Sequence, residues 1–290
     1  MTSATHRVAV VIPCYNDGKF LPETLESVRA QEPCELVVVD DGSTEPATLA
    51  LLDRLSKAGL RVVHQANGGV SVARMTGVRA TSAPYIYPLD SDDLVAPGAL
   101  TRLADALDAN PRAVAAWGDV EIFGIGPGRF RIGTPSGLDP WLSTYVNDFP
   151  LASLLRRDAL LSVGGWQLGT AYEDWDLWMA FAERGWIGVR VRQVAEIHRE
   201  HPGRRWAGVL VPAHNDAILR QRHSSLFEHR RSNWRRSRAP WRSKLILPVI
   251  GRLGMVSEMN KQRLYQLVHD PGRLLQVRLR RVRQRLRRSV

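Results

Sequence analysis

The first hundred residues alternate between short apolar runs and segments with helical spacing, and this alternation constrains the fold more than any other feature of the chain. Two of the runs are rich in β-branched residues, which is typical of strands buried on both faces of a parallel sheet. Strands are predicted at Arg7–Ile12, Glu35–Val39, Leu60–His64 and Tyr85–Leu89. Helices are predicted between them at Phe20–Ala30, at Ser71–Ala80, and from Thr44-Glu45-Pro46, which offers a capping residue and a first-turn proline. This order gives βαβ units, so we predict an α/β fold with a mostly parallel, Rossmann-like sheet flanked by helices.

Polar, turn-forming or acidic residues follow each of the four predicted strands. Ligands bind beyond the carboxyl ends of the strands in open sheets of this kind, so these residues mark the predicted site. The segments are Pro13-Cys14-Tyr15-Asn16-Asp17, Asp40-Asp41-Gly42-Ser43, Asn67-Gly68-Gly69 and Asp90-Ser91-Asp92-Asp93. The last segment has three carboxylates within four residues, which suits Mg²⁺ or Mn²⁺, although taken alone it fits a solvated turn equally well.

Three other residues of this region have both a ligand-binding and a structural interpretation. Asp41 is placed to accept hydrogen bonds from a ligand, or to cap the helix that follows it. Tyr15 is placed to stack on a base, or to pack at the rim of the sheet. Arg74 lies near the start of the third helix, where it either reaches a diphosphate or is an ordinary exposed helix arginine.

Charge is divided unevenly along the chain, which predicts two domains. Residues 1–219 carry 20 Lys and Arg against 26 Asp and Glu, whereas residues 220–290 carry 20 against three. With 44% apolar and 24% charged residues, the chain as a whole is typical of a globular protein and not of a disordered, collagen-like or disulfide-rich one. We therefore predict a slightly acidic body at 1–219 and an arginine-rich helical extension at 220–290 that is drawn to anionic surfaces.

The extension contains two apolar patterns. Leu275, Leu279, Val282 and Leu286 recur at helical spacing among arginines, and the stretch Leu245–Val256 adds further apolar residues. A basic amphipathic helix of this kind is typical of membrane-surface elements. Packing on the body or on a partner subunit, as in a homo-oligomer, is the main alternative, and no nucleic-acid partner is expected.

Three sequence observations predict the compartment: the small number of cysteines, the short apolar run near the start, and the length of the longest apolar stretch near the end. Cys14 and Cys34 are too few for a disulfide framework and suit a reducing environment. Only five apolar residues follow MTSATHR before Pro13, so no signal peptide is predicted. The apolar stretch Leu245–Gly251 is too short to span a bilayer, which takes about 20 residues. We expect a cytoplasmic protein, with peripheral attachment to the inner face of the cell membrane through 245–290 as an option.

Five segments resemble the family 2 glycosyltransferases in order and in spacing. They are VVIPCYNDGKFLPETLESVRAQ, ELVVVDDGST, NGGVSVARMTGVRA, YIYPLDSDDL and YEDWDLW, and the resemblance extends from Arg7 to about His201. Members of this family share the GT-A fold, a nucleotide-sugar-binding α/β domain. The resemblance implies that residues 1–219 form a GT-A catalytic domain, and the extension at 220–290 lies outside it.

The resemblance also implies an activity and a set of site residues. The activity is inverting transfer of a sugar from a nucleotide diphosphate sugar, most often a UDP-sugar, to an acceptor hydroxyl in polysaccharide or glycolipid biosynthesis. The catalytic base is placed at Asp174, and Mn²⁺ or Mg²⁺ at Asp92 and His201. The remaining roles are nucleotide-sugar binding by Pro13, Tyr15, Asn16, Asp41, Arg74, Asp90 and Ser91, and binding of a glycan or lipid-linked acceptor by Trp166, Glu173 and Trp175.

Some of these roles have structural alternatives. The helix dipole favours carboxylates in a first turn whatever their function, but it would also keep Asp174 ionised for base catalysis. Trp166, Trp175 and Trp178 offer flat faces to sugar rings, although at least one is expected in the core. His201 fits the metal better than His198, and both are expected in a loop after a strand at Val189–Ile197. The segment Gly133 to Pro150 has little pattern and is expected on the acceptor side.

Two other functions compete with sugar transfer. A sugar nucleotidyltransferase shares a similar fold, but it carries a glycine-rich loop with a basic residue after its first strand, where this chain has Pro13-Cys14-Tyr15-Asn16. A retired glycosyltransferase body that acts through its basic tail would lack an acidic motif, whereas Asp41, Asp90, Asp92 and Asp174 are all present.

Overall fold

Four strands alternate with three helices in the first third of the chain, as the sequence predicts. The structure is a computed structural model that describes residues 6–124, 129–169, 172–201, 212–253 and 258–269. The first elements are β1 Val8–Cys14, α1 Leu21–Arg29, β2 Glu35–Asp40, α2 Pro46–Lys57, β3 Arg61–His64, α3 Val70–Arg79 and β4 Tyr85–Pro88. Their bounds lie within two residues of the predicted ones where both ends were predicted.

The second part of the body adds strands of both directions. Its elements are β5 Leu94–Val95, α4 Ala99–Asp108, β6 Ala113–Phe123, β7 Phe130–Ile132, a 3-10 turn at Leu142–Thr144, β8 Leu154–Arg156, α5 Arg157–Ser162, α6 Glu173–Glu183 and β9 Ile187–Arg199. Because β9 continues to Arg199, His198 lies in a strand, and its predicted place in a loop is wrong.

All nine of these strands form one sheet, in the order β3-β2-β1-β4-β8-β6-β9-β5, with β7 paired to β6. The pairs among β1 to β4 are parallel, as is the β6–β9 pair. β8 runs antiparallel to both of its neighbours, and β5 and β7 are also antiparallel to their partners. The α/β fold with a mostly parallel sheet is thus confirmed: β1 to β4, β6 and β9 run in one direction, and the shorter strands β5, β7 and β8 run against them.

β1 lies at the centre of two apolar layers. Val8, Val10 and Ile12 face the core layer that includes α1 and α4, while Ala9 and Val11 face the layer that includes α3 and α6. This alternation follows from the two-residue period of a strand. Full burial of each aliphatic side chain contributes about 1.5–3 kcal/mol, so the strand ends that carry the site rest on the most firmly packed part of the sheet.

The described part of the extension packs on the body. It consists of α7 Pro212–Arg222, α8 Ser224–Glu228, α9 Arg230–Arg236, α10 Trp241–Gly251 and α11 Glu258–His269. Leu247 and Ile250 of α10 pack with Trp141 and Tyr145 of the body. The boundary predicted between residues 219 and 220 falls inside α7. The predicted stripe from Leu275 to Leu286 lies outside the described residues, and among the described ones no helix is long and apolar enough to cross a membrane.

Candidate active site

A cavity of about 480 Å³ lies beyond the carboxyl ends of β1, β2 and β4. This volume is within the usual range for small-molecule sites. All nine of the predicted donor-binding and metal residues line it, together with Glu173 from the predicted acceptor set: Pro13, Tyr15, Asn16, Asp41, Arg74, Asp90, Ser91, Asp92 and His201. Tyr15 is half-buried there. The structure therefore brings together residues that are up to 188 positions apart in the chain (13 to 201).

Asp41 organises the loop before α3. Its Oδ1 accepts hydrogen bonds from the backbone N–H of Gly68 (2.8 Å) and from Gln65 Nε2 (2.7 Å), and its Oδ2 accepts one from the N–H of Gly69 (2.9 Å). A carboxylate oxygen accepts more than one hydrogen bond, so Oδ2 retains capacity for a ligand donor. Asp41 is thus both a structural anchor of this loop and part of the cavity wall.

Asn16 has a structural role that its sequence position did not predict. Its Oδ1 accepts hydrogen bonds from the N–H groups of Thr44 (2.7 Å) and Glu45 (2.8 Å), which precede α2. The helix has no side-chain cap of its own, so the prediction of a local capping residue is wrong and Asn16 supplies the acceptor from another loop. The side chain of Ser91 also has a partner within the protein, since its Oγ donates a hydrogen bond to Asp17 Oδ2 (3.0 Å).

Arg74 is buried and bridges two carboxylates. Its two terminal nitrogens donate to Asp90 Oδ1 and Glu173 Oε1, both at 2.9 Å, and only 2% of its side chain is exposed. The alternative of an exposed helix arginine is therefore wrong. Gly77, one turn further along α3, permits this position, because a Cβ there would lie 2.3 Å from Val11 and would push the helix off the sheet. Arg74 lines the cavity, and the carboxylates of Asp90 and Glu173 balance its charge.

The acidic segment after β4 forms a compact group of oxygen ligands. Carboxylate oxygens of Asp90, Asp92 and Asp93 lie within 4.8 Å of one another. His201 Nε2 lies 3.0 Å from Asp92 Oδ2, so the two predicted metal residues are in contact. A set of carboxylates with one imidazole fits Mn²⁺ or Mg²⁺, which prefer oxygen ligands.

Asp93, the third carboxylate of this segment, is bound from β9. Its Oδ1 accepts the N–H of Arg199 (2.8 Å), and its Oδ2 lies 3.2 Å from His198 Nδ1. Burial alone lowers the pKa of His198, but hydrogen bonds to Asp93 and Glu196 outweigh it and raise that pKa to about 10. His198 thus braces Asp93 from β9, and ligand atoms of Asp93, Glu196 and His198 lie within 4.8 Å of one another.

Asp174 lies in the first turn of α6 with two neutral partners. Its Oδ1 accepts the N–H of Trp175 (2.8 Å), and its Oδ2 accepts Asn147 Nδ2 (2.9 Å). Burial, followed by the nearby charge of Glu173, raises the pKa of Asp174 to about 6, while the bonds from Asn147 and Trp175 oppose this rise. A pKa of about 6 leaves this carboxyl group mainly ionised at pH 7, which suits a general base.

The predicted tryptophan surface for an acceptor is absent. Trp166 and Trp175 are 4% and 5% exposed, and Trp178 is buried as well. Trp175 Nε1 donates to the carbonyl of Ser143 at 2.7 Å, and the ring packs with Leu168 and Met179. The assignments of Trp166 and Trp175 to acceptor binding are therefore wrong. Their apolar rings are in the core, which leaves Glu173 as the predicted acceptor residue that faces the cavity.

Asp176, two residues after Asp174, ties α6 to the extension. Arg222 donates to both of its oxygens (2.6 and 3.0 Å), and His223 Nε2 lies 3.0 Å from Oδ1. His223 Nδ1 also contacts Glu183, 3.0 Å away at the other end of α6. Burial raises the pKa of Asp176, but the hydrogen bonds from His223 and Arg222 outweigh it and lower that pKa. Sequence reasoning missed this network because Arg222 and His223 lie 46 and 47 residues downstream, in a segment for which packing on the body was an alternative to a membrane surface and no contact residue was named.

The chain is similar to known glycosyltransferases in sequence. It is 33% identical to the uncharacterized glycosyltransferase EpsJ of Bacillus subtilis (strain 168) over 114 residues, which is 38% of this chain and 33% of EpsJ. It is 30% identical to the minor teichoic acid biosynthesis protein GgaB of the same organism over 118 residues, which is 39% of this chain and 13% of GgaB. The matched regions thus span a third or less of these curated relatives.

The fold is similar to that of S. aureus TarS 1-349, whose crystal structure was solved in complex with UDP-GlcNAc. The TM-score is 0.57 at 16% sequence identity, and the match covers 91% of this chain and 81% of the other. The GT-A-like architecture is thereby shown. The family model for glycosyl transferase family 2 matches residues 9–161, which is more than half of the chain. With the strand-end motifs and their cavity in place, the chain belongs to glycosyl transferase family 2.

Proposed function

We propose that this chain is an inverting transferase that moves a sugar from a nucleotide diphosphate sugar, most often a UDP-sugar in this family, to an acceptor hydroxyl. The observation that carries the proposal is the position of Asp174, a carboxylate that directly follows the cavity residue Glu173 and is oriented by hydrogen bonds from Asn147 and the N–H of Trp175. Family membership supports the reaction class. The complex of S. aureus TarS with UDP-GlcNAc supports the donor class.

Asp174 would act as the general base. Its ionised carboxylate accepts the proton of the acceptor hydroxyl while that oxygen attacks the anomeric carbon from the face opposite the diphosphate. The bond between the anomeric carbon and the diphosphate oxygen breaks in the same step, so the configuration inverts and no covalent enzyme intermediate forms. Asn147 and the N–H of Trp175 fix the two carboxylate oxygens, which orients the base before the acceptor binds.

Asp92 and His201, with Asp90 beside them, would hold a divalent cation. The contact between His201 and Asp92, and the close carboxylate oxygens of the segment after β4, fit Mn²⁺ or Mg²⁺. When bound, such an ion stabilises negative charge that develops on the departing diphosphate. Asp41 and Tyr15, at the other side of the cavity, would bind the base and ribose of the nucleotide.

The acceptor class proposed is a cell-surface polysaccharide or a glycolipid. The name of GgaB, a minor teichoic acid biosynthesis protein, supports this class. Glu173 would face the acceptor at the cavity edge, since Arg74 already binds one of its oxygens and fixes its position.

The donor is tested by thermal unfolding of the full chain with UDP, GDP, dTDP and CMP, each with and without Mn²⁺. A ligand present at about 100 times its Kd adds roughly 2.7 kcal/mol of stability, which raises Tm by several degrees for a chain of this size. We expect the largest rise with UDP, and only with Mn²⁺. No rise with any nucleotide would contradict the proposal and favour a retired active site.

Two variants make the test specific to the acidic segment. Asp92→Asn should abolish the Mn²⁺-dependent rise, because it removes the carboxylate that contacts His201. Asp158→Asn is the matched control: it removes an exposed aspartate charge from α5 that does not line the cavity, and should leave the rise unchanged. An equal rise in wild type and Asp92→Asn would place the cation elsewhere.

A further inference from the structure

α10 presents an apolar face to solvent. Trp241, Leu245 and Val249, spaced four residues apart on this helix, are 76%, 59% and 60% exposed. Ile246 of the same helix and Leu253, two residues after its end, are also exposed and extend the face. Burial of these side chains would be favourable in proportion to the apolar area removed from water, so a continuous apolar face of this kind marks an interaction surface.

The opposite side of α10 is firmly attached to the body. Ser243, Leu247 and Ile250 are buried, and the last two pack with Trp141 and Tyr145. The exposed residues are therefore on the outer surface of a docked helix, and the helix position does not depend on their burial. Substitutions on the outer face should therefore leave the packing of the extension on the body unchanged.

The surroundings of this face are strongly basic. Residues 230–252 contain eight Lys and Arg and no Asp or Glu. Six of these cations are exposed: Arg231, Arg235, Arg236, Arg238, Arg242 and Arg252. Trp234 lies beside the helix as well: its Nε1 donates to the carbonyl of Lys244 (3.3 Å), and Lys244 Nζ lies 5.4 Å from the centroid of its ring.

We propose that the α10 face, formed by Trp241, Leu245, Ile246, Val249 and Leu253, docks on an anionic lipid bilayer. The aliphatic side chains enter the boundary between headgroups and acyl chains, Trp241 lies at the interface that tryptophan prefers, and the surrounding arginines bind lipid phosphates. An anionic bilayer offers a partner to both kinds of residue: its acyl region buries the apolar face, and its phosphates bind the surrounding cations.

Other occupants fit the face less well. A symmetric dimer through this face would bring two sets of these cations together without an acidic counterpart, which costs free energy. A nucleic acid would bind the arginines through its phosphates, but it has no region that buries leucine and valine side chains. The lipid surface satisfies both sets of residues at once.

The test is co-sedimentation of the full chain with phosphatidylcholine vesicles, with and without phosphatidylglycerol. We expect binding that requires phosphatidylglycerol and weakens with salt. The double variant L245S/V249S should lower the partition coefficient by roughly 100-fold, because it removes two inserted aliphatic side chains. L49S/L161S is the matched control, with two apolar residues on α2 and α5 that are 40% and 46% exposed, and it should bind as wild type does.

Tm and oligomeric state complete the test. A Tm of L245S/V249S equal to that of wild type would show that the variant is folded. Trp241→Ser is a second variant that should also weaken vesicle binding. Equal vesicle binding by wild type and L245S/V249S, or no binding by wild type, would overturn the proposal. A wild-type dimer that L245S/V249S converts to a monomer would assign the face to a second copy, and RNA binding lost in that variant would assign it to nucleic acid. Protection of 271–290 from protease that is lost in the variant would assign it to the chain's own end.

Discussion

Asp174 and Asp176 lie two residues apart in the first turn of α6, and their surroundings give them opposite properties. Burial raises the pKa of both, and the helix dipole acts on both. Burial and then the charge of Glu173 raise the pKa of Asp174 to about 6, because its hydrogen-bond partners, an amide and a backbone N–H, are neutral and offset this rise only in part. The partners of Asp176 are His223 and Arg222, and their hydrogen bonds and charges lower its pKa.

This difference teaches how one helix end serves two purposes. A carboxylate bound by cations is a weak base, and its removal leaves buried charge behind, so Asp176 holds the extension on the body. A carboxylate bound by neutral donors keeps its affinity for a proton, so Asp174 remains available for base catalysis. The choice between the two roles depends on the residues that other segments contribute and not on position in the helix.

The largest expected effect is on turnover in Asp174→Asn. Loss of a general base lowers the rate by about 10²–10⁴-fold, and donor binding should persist because the nucleotide contacts are elsewhere. Release of UDP from a UDP-sugar, with calorimetry of UDP binding, measures both. Asp176→Asn is the paired control, and in the fraction that is folded its turnover should stay within about tenfold of wild type. Near-normal turnover in Asp174→Asn would remove it from the mechanism.

The next effect is on stability, where Asp176→Asn should be strongly destabilising. The change leaves Arg222 and His223 without their shared carboxylate, which costs about 2–3 kcal/mol after allowance for the partly exposed Arg222. Urea unfolding at pH 7.5 measures the free energy of unfolding. A loss below about 0.5 kcal/mol, the size of an ordinary surface substitution, would show that this network does not hold the extension.

Asp174→Asn should change stability in the opposite direction. A carboxyl group whose pKa is raised in the folded state binds more protons there, so its contribution falls as pH rises from about 4 to about 6. Above pH 6 the variant no longer buries this charge, and unfolding should require about 1–2 kcal/mol more than in wild type. The same urea experiment at pH 5 and pH 7.5 should show a gain that grows with pH. A destabilised Asp174→Asn at pH 7.5 would contradict the raised pKa.

The smallest effect is expected from Asn147→Ala. Its amide opposes the rise in the pKa of Asp174, so without it the pKa moves further up and the acid limb of kcat/KM shifts to higher pH. Activity should fall by up to about tenfold near pH 6 and little at pH 8. A uniform loss at every pH would instead indicate that Asn147 acts only through packing.

The sequence predicted the parts of this molecule that depend on local pattern. Apolar runs predicted β1 to β4, because a strand that is buried on both faces needs apolar side chains at successive positions. The residues that follow these strands predicted where the cavity lies. Asn147 could not be predicted, because it lies in the patternless segment 133–150 and its role arises only when that segment packs on α6. The burial of Trp166 and Trp175 was missed because an aromatic ring suits a sugar and a core equally well.

The most direct test of the central claim is a carboxyl ¹³C NMR titration of the full chain labelled at aspartate. Asp174 and Asp176 signals are assigned by comparison with Asp174→Asn and Asp176→Asn. We predict that Asp174 titrates near pH 6, while Asp176 titrates below the usual aspartate value of 3.8. Titration of Asp174 at or below 3.8, as for Asp176, would contradict the assignment of the two carboxylates to different roles.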